Sequence, residues 1–400
     1  MKPTTMLLAA TCAVLLSACS AAAGKTAPDP DVSEAQPNPR PAWSFYRPPE
    51  PLPARPAGAL IRSEPVPAPA GARDWRILYH SRSTAGKDIA VSGSVFIPAT
   101  DPSAPPGGRP VVAWAHGTTG LGDSCAPSTD AHPLNGIEDG PALLAAGNAI
   151  VATDYEGLGT PGPHPYAVGP SEARSVLDAV RAARQLPGAG LGKSFVAFGH
   201  SQGAHAALFT GELARSYAPE LRLLGVAAAA PPIDLVALAR HFTTIDSGIG
   251  RVIEAAAGYS ATDPSARLAG IMTPVGRAGL GLLEKGCDDN VLGAYTGLSA
   301  RAVFTKDPRT TPPWSTGFAR NSVGVLPTTV PVLIMQGARD PNIPAALTAT
   351  AVHHMCRGGD TIDYRTYPDA YHNVVPSAAS DLNAWIAARF RGTPAPDNCR

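Results

Sequence analysis

The sequence carries no excess charge of either sign. Its 32 Lys and Arg residues balance 32 Asp and Glu, and charged residues make up only 16% of the chain. That balance argues against nucleic acid as a partner, and against an electrostatic hold on an anionic membrane surface. Past the first residues, no apolar run is long and uninterrupted enough for a transmembrane helix. No internal repeat is visible. His353 and His354 beside Cys356 match no zinc signature, so that stretch reads as a helix end followed by a disulfide cysteine.

What is present is ample apolar material, 44% of 400 residues, enough for one large domain with an insertion. Glycine (40) and proline (43) are in excess, against roughly 12% of a typical chain for the two together. They mark a loop-rich protein. The start reads as a targeting segment over residues 1–19: Lys2, a short apolar stretch from Met6 to Leu16, then Leu16-Ser17-Ala18-Cys19. That tetrapeptide looks like a lipobox, with Cys19 as the acylated residue. The alternative is plain secretion with cleavage after Ala23. Either way the chain is expected outside the cytoplasm, in the first case lipid-anchored on the outer side of the membrane. Residues 20–42, rich in Ala and Pro, read as a disordered tether. Four cysteines remain beyond the signal: Cys125, Cys287, Cys356 and Cys399. In an oxidising compartment they suggest two disulfides, with three pairings open.

From residue 43 the chain reads as a folded domain running to residue 400. Trp75–Tyr79 and Ile89–Ile97 look like strands, the second partly alternating as a half-buried edge would. Later strands are continuous apolar runs: Val111–Ala115, Ala149–Ala152, Phe195–Phe198, Leu223–Ala228 and Val332–Met335. Strands covered on both faces read this way. Helical patterns lie between them, one opening at Ser171 as a plausible N-cap with Glu172 in its first turn. Alternating strands and helices imply an α/β fold, a mostly parallel sheet flanked by helices. Its ligands belong outside the carboxyl ends of the strands. Residues from about 233 to 326 break the alternation and read as an inserted, mainly helical cap.

Gly199-His200-Ser201-Gln202-Gly203 is a G-x-S-x-G pentapeptide between an apolar strand and a small-residue helix start. That setting places a serine on a sharp, strained turn. A serine hydroxyl needs an adjacent base to act as a nucleophile, and in such folds the order is serine, acid, histidine. Asp340 follows the strand Val332–Met335, and His372 follows Ile362–Tyr367. The expectation is Ser201 as nucleophile, Asp340 as orienting carboxylate and His372 as general base. Asp154 is the reserve acid. Asp369, His353 and His354 are less well placed, and His200 and His205 are expected to pack or to line the pocket. An oxyanion needs preorganised donors. The backbone N–H of Gln202 is one, and Thr118, in His116-Gly117-Thr118-Thr119-Gly120, is expected to give the second. No cofactor and no metal are called for.

These motifs together resemble the secretory lipase family of α/β-hydrolases, the lipase-A type, from about Phe45 to the C-terminus. The most specific stretch is Thr153-Asp154-Tyr155-Glu156-Gly157-Leu158-Gly159, leading through Gly169-Pro170-Ser171-Glu172-Ala173 into a helix. The resemblance implies the α/β-hydrolase fold and the same assignment of Ser201, Asp340 and His372. It also implies an oxyanion donor at Thr118, where the family carries an acid. It suggests the pairings Cys125–Cys287 and Cys356–Cys399, and a cap carrying an acyl tunnel. The expected activity is hydrolysis of carboxylic esters, lipid esters first. A short-chain or aromatic carboxylesterase or an acyltransferase on the same residues is the second reading. A surface-anchored binding protein is the third.

Overall fold

Each buried strand divides its apolar run between two cores, and this division organises the computed structural model. The structure describes Met1 and residues 43–68, 71–99 and 105–399. The expected signal beyond Met1, Cys19 and the tether lie outside the described residues. The nine strands are β1 (Leu60–Val66), β2 (Ala72–Arg82), β3 (Asp88–Pro98), β4 (Arg109–Ala115), β5 (Ala149–Thr153), β6 (Leu191–His200), β7 (Arg222–Ala229), β8 (Val332–Gly337) and β9 (Ile362–Tyr367). They form one sheet in the order β1-β2-β3-β5-β4-β6-β7-β8-β9. The pairs from β5 through β9 are parallel, and β1, β2 and β3 are joined antiparallel.

On β6, Phe195 and Ala197 enter one core while Val196 and Phe198 enter the other. On β8, Val332 and Ile334 part from Leu333 and Met335 in the same way. The period of two sends alternate side chains to opposite faces. Helix α1 (Gly140–Ala145) precedes β5, α2 (Gly169–Ala183) precedes β6, and α3 (Gln202–Tyr217) follows it. Between β7 and β8 the chain makes seven helices: α4 (Leu235–Phe242), α5 (Gly248–Thr262), α6 (Pro274–Ala278), α7 (Gly281–Lys285), α8 (Asp288–Tyr295), α9 (Ala300–Val303) and α10 (Trp314–Arg320). Helices α11 (Ala345–Arg357) and α12 (Val375–Phe390) flank β9 in sequence. One core joins the sheet to α2, α3 and α11, and the other joins it to α1 and α12. This is the expected α/β-hydrolase architecture with an inserted helical cap. The cap has a core of its own, built on Ile253 and Ala256 of α5, Val291 and Tyr295 of α8, and Trp314 and Phe318 of α10.

Among the described residues two disulfides form, Cys125–Cys287 and Cys356–Cys399. The first fastens the loop after β4 to the start of cap helix α8. The second closes the C-terminal segment onto α11. Among the described residues no helix is long and apolar enough to cross a membrane.

Two local expectations need correction. Ile89–Ile97 lies within β3, which is no edge: it pairs with both β2 and β5, and from Ala90 onward every residue is buried. Its small residues mimic a polar face. Ser92 is buried because its hydroxyl donates to Asp154, and Gly93 because a Cβ there would meet the Ala152 carbonyl at 2.2 Å. On that side the sheet ends in β1, which contains Pro65, a residue edge strands tolerate. Ser171 is not an N-cap either. Helix α2 starts two residues earlier, at Gly169-Pro170, and the Ser171 hydroxyl donates to Glu156.

Candidate active site

The serine turn is built by close backbone approach. Strand β6 ends at His200 and α3 begins at Gln202, leaving Ser201 between them at φ 54° and ψ −122°. A non-glycine residue is rarely held there except at a strained functional turn. The Ser201 N–H donates to the Ala229 carbonyl at 2.9 Å, which pins the turn to β7. A Cβ on Gly203 would lie 1.8 Å from the Ala115 carbonyl oxygen, and one on Gly199 would lie 2.2 Å from that of Gly203. Both positions therefore require glycine.

The structure brings Ser201, His372 and Asp340 together at three strand ends. His372 Nε2 lies 3.0 Å from Ser201 Oγ, and His372 Nδ1 lies 2.8 Å from Asp340 Oδ2. Asp340 is buried, and its other oxygen accepts the backbone N–H groups of Asn342 and Ile343, each at 2.9 Å. A carboxylate so held accepts a hydrogen bond from Nδ1–H, which leaves the Nε2 lone pair facing the serine hydroxyl. Asp154, the reserve acid, is elsewhere. It is buried against Ser92 and accepts the Ser128 N–H at 2.9 Å. Asp369 is exposed and pairs with Arg339 at 3.0 Å. His353 and His354 stand exposed on α11, and Cys356 in the same helix is in its disulfide.

Gln202 is the first residue of α3. A helix leaves its first N–H groups without internal acceptors, so this amide is free to serve beside Ser201. Opposite it runs the loop after β4. Tyr155 Oη donates to the His116 carbonyl at 3.0 Å, and Thr118 Oγ1 is 2.9 Å from Tyr166 Oη. Gly117 lies against the turn, since a Cβ there would sit 3.9 Å from Ser201 Cβ. Thr118 is thus held within the same cleft.

Two cavities meet at Ser201 and His372. One, about 730 Å³, opens beside the loop after β4 and is walled by polar groups including Ser128, Asp130, Asn135 and Glu138. The other, about 60 Å³, runs under the cap between Leu235, Leu238, Phe242, Val252 and Phe318. Arg251 lines both. Its guanidinium is held by Asp288, one contact measuring 2.7 Å, and by Glu254 at 2.9 Å.

His200 and His205 line the two cavities, as expected, and each also faces a carboxylate, partly exposed for Glu138 and buried for Glu172. His205 Nδ1 is 2.7 Å from Glu172 Oε2, and Glu172 Oε1 accepts the Gln202 side-chain amide at 2.9 Å and the Ala167 N–H at 3.1 Å. His200 Nδ1 is 2.9 Å from Glu138 Oε1. Burial works against a charge on either imidazole, but the facing glutamate outweighs it and holds each above its ordinary range. His164, buried without a carboxylate of its own, is pushed down to about 4 by burial. The partners Glu138 and Glu172 stand far from the histidines in sequence, so no spacing signal could pair them.

A strained serine turn between strand and helix, a mostly parallel sheet and a helical cap define an α/β-hydrolase. The sequence model of the secretory lipase family matches residues 141–398. The chain belongs to that family. It is 26% identical to "Lipase A" of Moesziomyces aphidis, over 98% of this chain and 87% of that protein. It is also 26% identical to "Probable inactive lipase MT1628" of Mycobacterium tuberculosis, over 88% of this chain and 83% of that protein. Among solved structures, Candida antarctica lipase A superposes with a TM-score of 0.77 at 22% identity, covering 89% of this chain and 87% of that one. The rice cell wall degrading esterase LipA from Xanthomonas oryzae superposes with a TM-score of 0.66 at 19% identity, covering 84% and 98%. These last two likenesses concern the fold.

Proposed function

We propose that the chain hydrolyses carboxylic esters through an acyl-enzyme on Ser201. His372 Nε2 takes the hydroxyl proton as Oγ attacks the ester carbonyl, and Asp340 stabilises the imidazolium that forms. The oxyanion rests on the backbone N–H groups of Gln202 and Thr118. The imidazolium returns its proton to the leaving alcohol. A water activated by the same ring then releases the acid. The observation that carries this reading is the unbroken hydrogen-bonded line Ser201–His372–Asp340, at 3.0 and 2.8 Å, where the two cavities meet.

The apolar cavity under the cap suits the acyl group, and the wider polar cavity suits the alcohol. Lipid esters are the first substrate class. They fit the family and the secreted triacylglycerol lipase of Malassezia globosa that this chain resembles at 24% identity. The second reading, a short-chain carboxylesterase or an acyltransferase, is favoured by the small size of the apolar cavity, about 60 Å³. The test is hydrolysis of p-nitrophenyl esters from acetate to palmitate with Ser201→Ala alongside. Activity that disappears in the variant supports the nucleophile, and the chain length at the maximum separates lipase from esterase. A folded wild-type protein inert on every ester overturns the hydrolase. In keeping with a secretory family, we read the leader as an export signal that ends in acylation of Cys19. Palmitate labelling that is lost in Cys19→Ala tests this.

A further inference from the structure

The pair Glu138–His200 stands beside the proposed triad and takes no part in it. His200 Nε2 is 2.9 Å from the backbone carbonyl of His372, and the two rings lie 4.8 Å apart between centroids. A carbonyl only accepts, so Nε2 carries a proton. His200 Nδ1 faces Glu138 Oε1 at 2.9 Å. A carboxylate also only accepts, so a second proton sits between these two atoms. The geometry thus demands one dissociable proton shared by the pair. Glu138 Oε2 is buried with no hydrogen-bond partner among the described residues. Among the described residues, His200 is the group that pairs with that glutamate. The groups facing His200 come from three segments: Glu138 ahead of α1, His372 after β9, and Asp340 after β8.

We propose that Glu138 and His200 are a positioning pair for His372. The Nε2–H of His200 fixes the His372 carbonyl, and the shared proton keeps positive charge beside the His372 ring. Like charges repel, so this charge couples through space to the one that forms on His372 when it takes the Ser201 proton. The inference rests on the reading of His372 as general base.

Glu138→Gln separates the two roles. The amide can still donate to Nδ1, and a neutral His200 keeps its Nε2–H on the His372 carbonyl, so position survives while the charge is lost. The acid limb of kcat/KM against pH should then move up by about half a pH unit. His200→Phe keeps ring volume and loses the donor. Its plateau kcat should fall roughly tenfold or more, with KM changed less than about twofold. If Glu138→Gln does not fold, Glu138→Ala carries the same expectation for the acid limb. An acid limb that stays in place or moves down overturns the proposal. So does a His200→Phe enzyme with wild-type kcat. Ser201→Ala is the control: activity surviving there overturns the reading beneath the proposal, whereas its loss beside an unmoved Glu138→Gln profile overturns the pair alone.

Discussion

His205 Nδ1 lies 2.7 Å from Glu172 Oε2, with both side chains almost wholly buried. His205 Nε2 lies 2.7 Å from the Asn321 carbonyl, so both ring nitrogens face acceptors and the imidazole is held as a cation. The pair joins α2, α3 and the end of α10, and through Gln202 it steadies the residue after Ser201. Breaking one side of a buried ion pair leaves the other side uncompensated. Glu172→Gln should therefore cost on the order of 3 kcal/mol in urea unfolding. It should also lower kcat, because the Gln202 amide loses its anionic anchor. Unfolding within experimental error of wild type would show that the pair is not ionised.

Cys125–Cys287 ties the loop after β4 to the cap, and beside it the Asp288 N–H donates to the Thr119 carbonyl at 3.0 Å. Cys356–Cys399 holds only the C-terminal segment. The first bridge spans 162 residues and the second 43. Loop-closure entropy makes the longer loop the more stabilising by about 1 kcal/mol. Cys287→Ser should lower both the melting temperature and kcat, since the loop bearing Thr118 loses its tie. Cys399→Ser should lower the melting temperature less and leave kcat near wild type. Equal kcat in the two variants would remove the cap tie from catalysis.

Asp340→Asn should leave the fold intact, because an amide oxygen can still accept from Asn342 and Ile343. The amide cannot hold the Nδ1–H tautomer of His372 with the strength of a carboxylate, so Nε2 loses its role as acceptor. In serine hydrolases that change costs about 10⁴ in kcat. Ester hydrolysis under saturating substrate, set against the circular dichroism of the same sample, measures this. A loss below about tenfold would move the orienting role to another acid.

Much of the site could be read in the sequence because strand ends and turn chemistry are local. The apolar runs gave five parallel strands, and the glycines of Gly199-His200-Ser201-Gln202-Gly203 announced a turn with no room for a Cβ. Ser201 and Asp340 each follow such a run and His372 follows the more polar strand Ile362–Tyr367, so topology gathers them at the strand ends. The edge strand β1 was not foreseen, since Arg62, Glu64 and Pro65 dilute its pattern. The burial of β3 was misread because Ser92 and Gly93 look polar until Asp154 and Ala152 are seen above them. The histidine–glutamate pairs were invisible for a different reason. His200–Glu138 and His205–Glu172 join residues from separate elements, and only the finished sheet brings them together.

Glu212 on α3 supplies a test of pH dependence away from the chemistry. Burial, with Asp360 nearby as a lesser cause, raises its carboxyl to about 7, although it accepts the Gly324 N–H at 2.8 Å. The folded state therefore binds this proton more tightly than the unfolded chain does. Ionising it costs stability, and that cost is absent below the ordinary glutamate range. It grows as pH rises and is complete above about 7. Glu212→Gln keeps an acceptor for Gly324 and cannot ionise. Its melting temperature should match wild type near pH 4 and exceed it by several degrees at pH 8. A difference that is constant across this range would mean that Glu212 titrates normally and that Gly324 is its whole role.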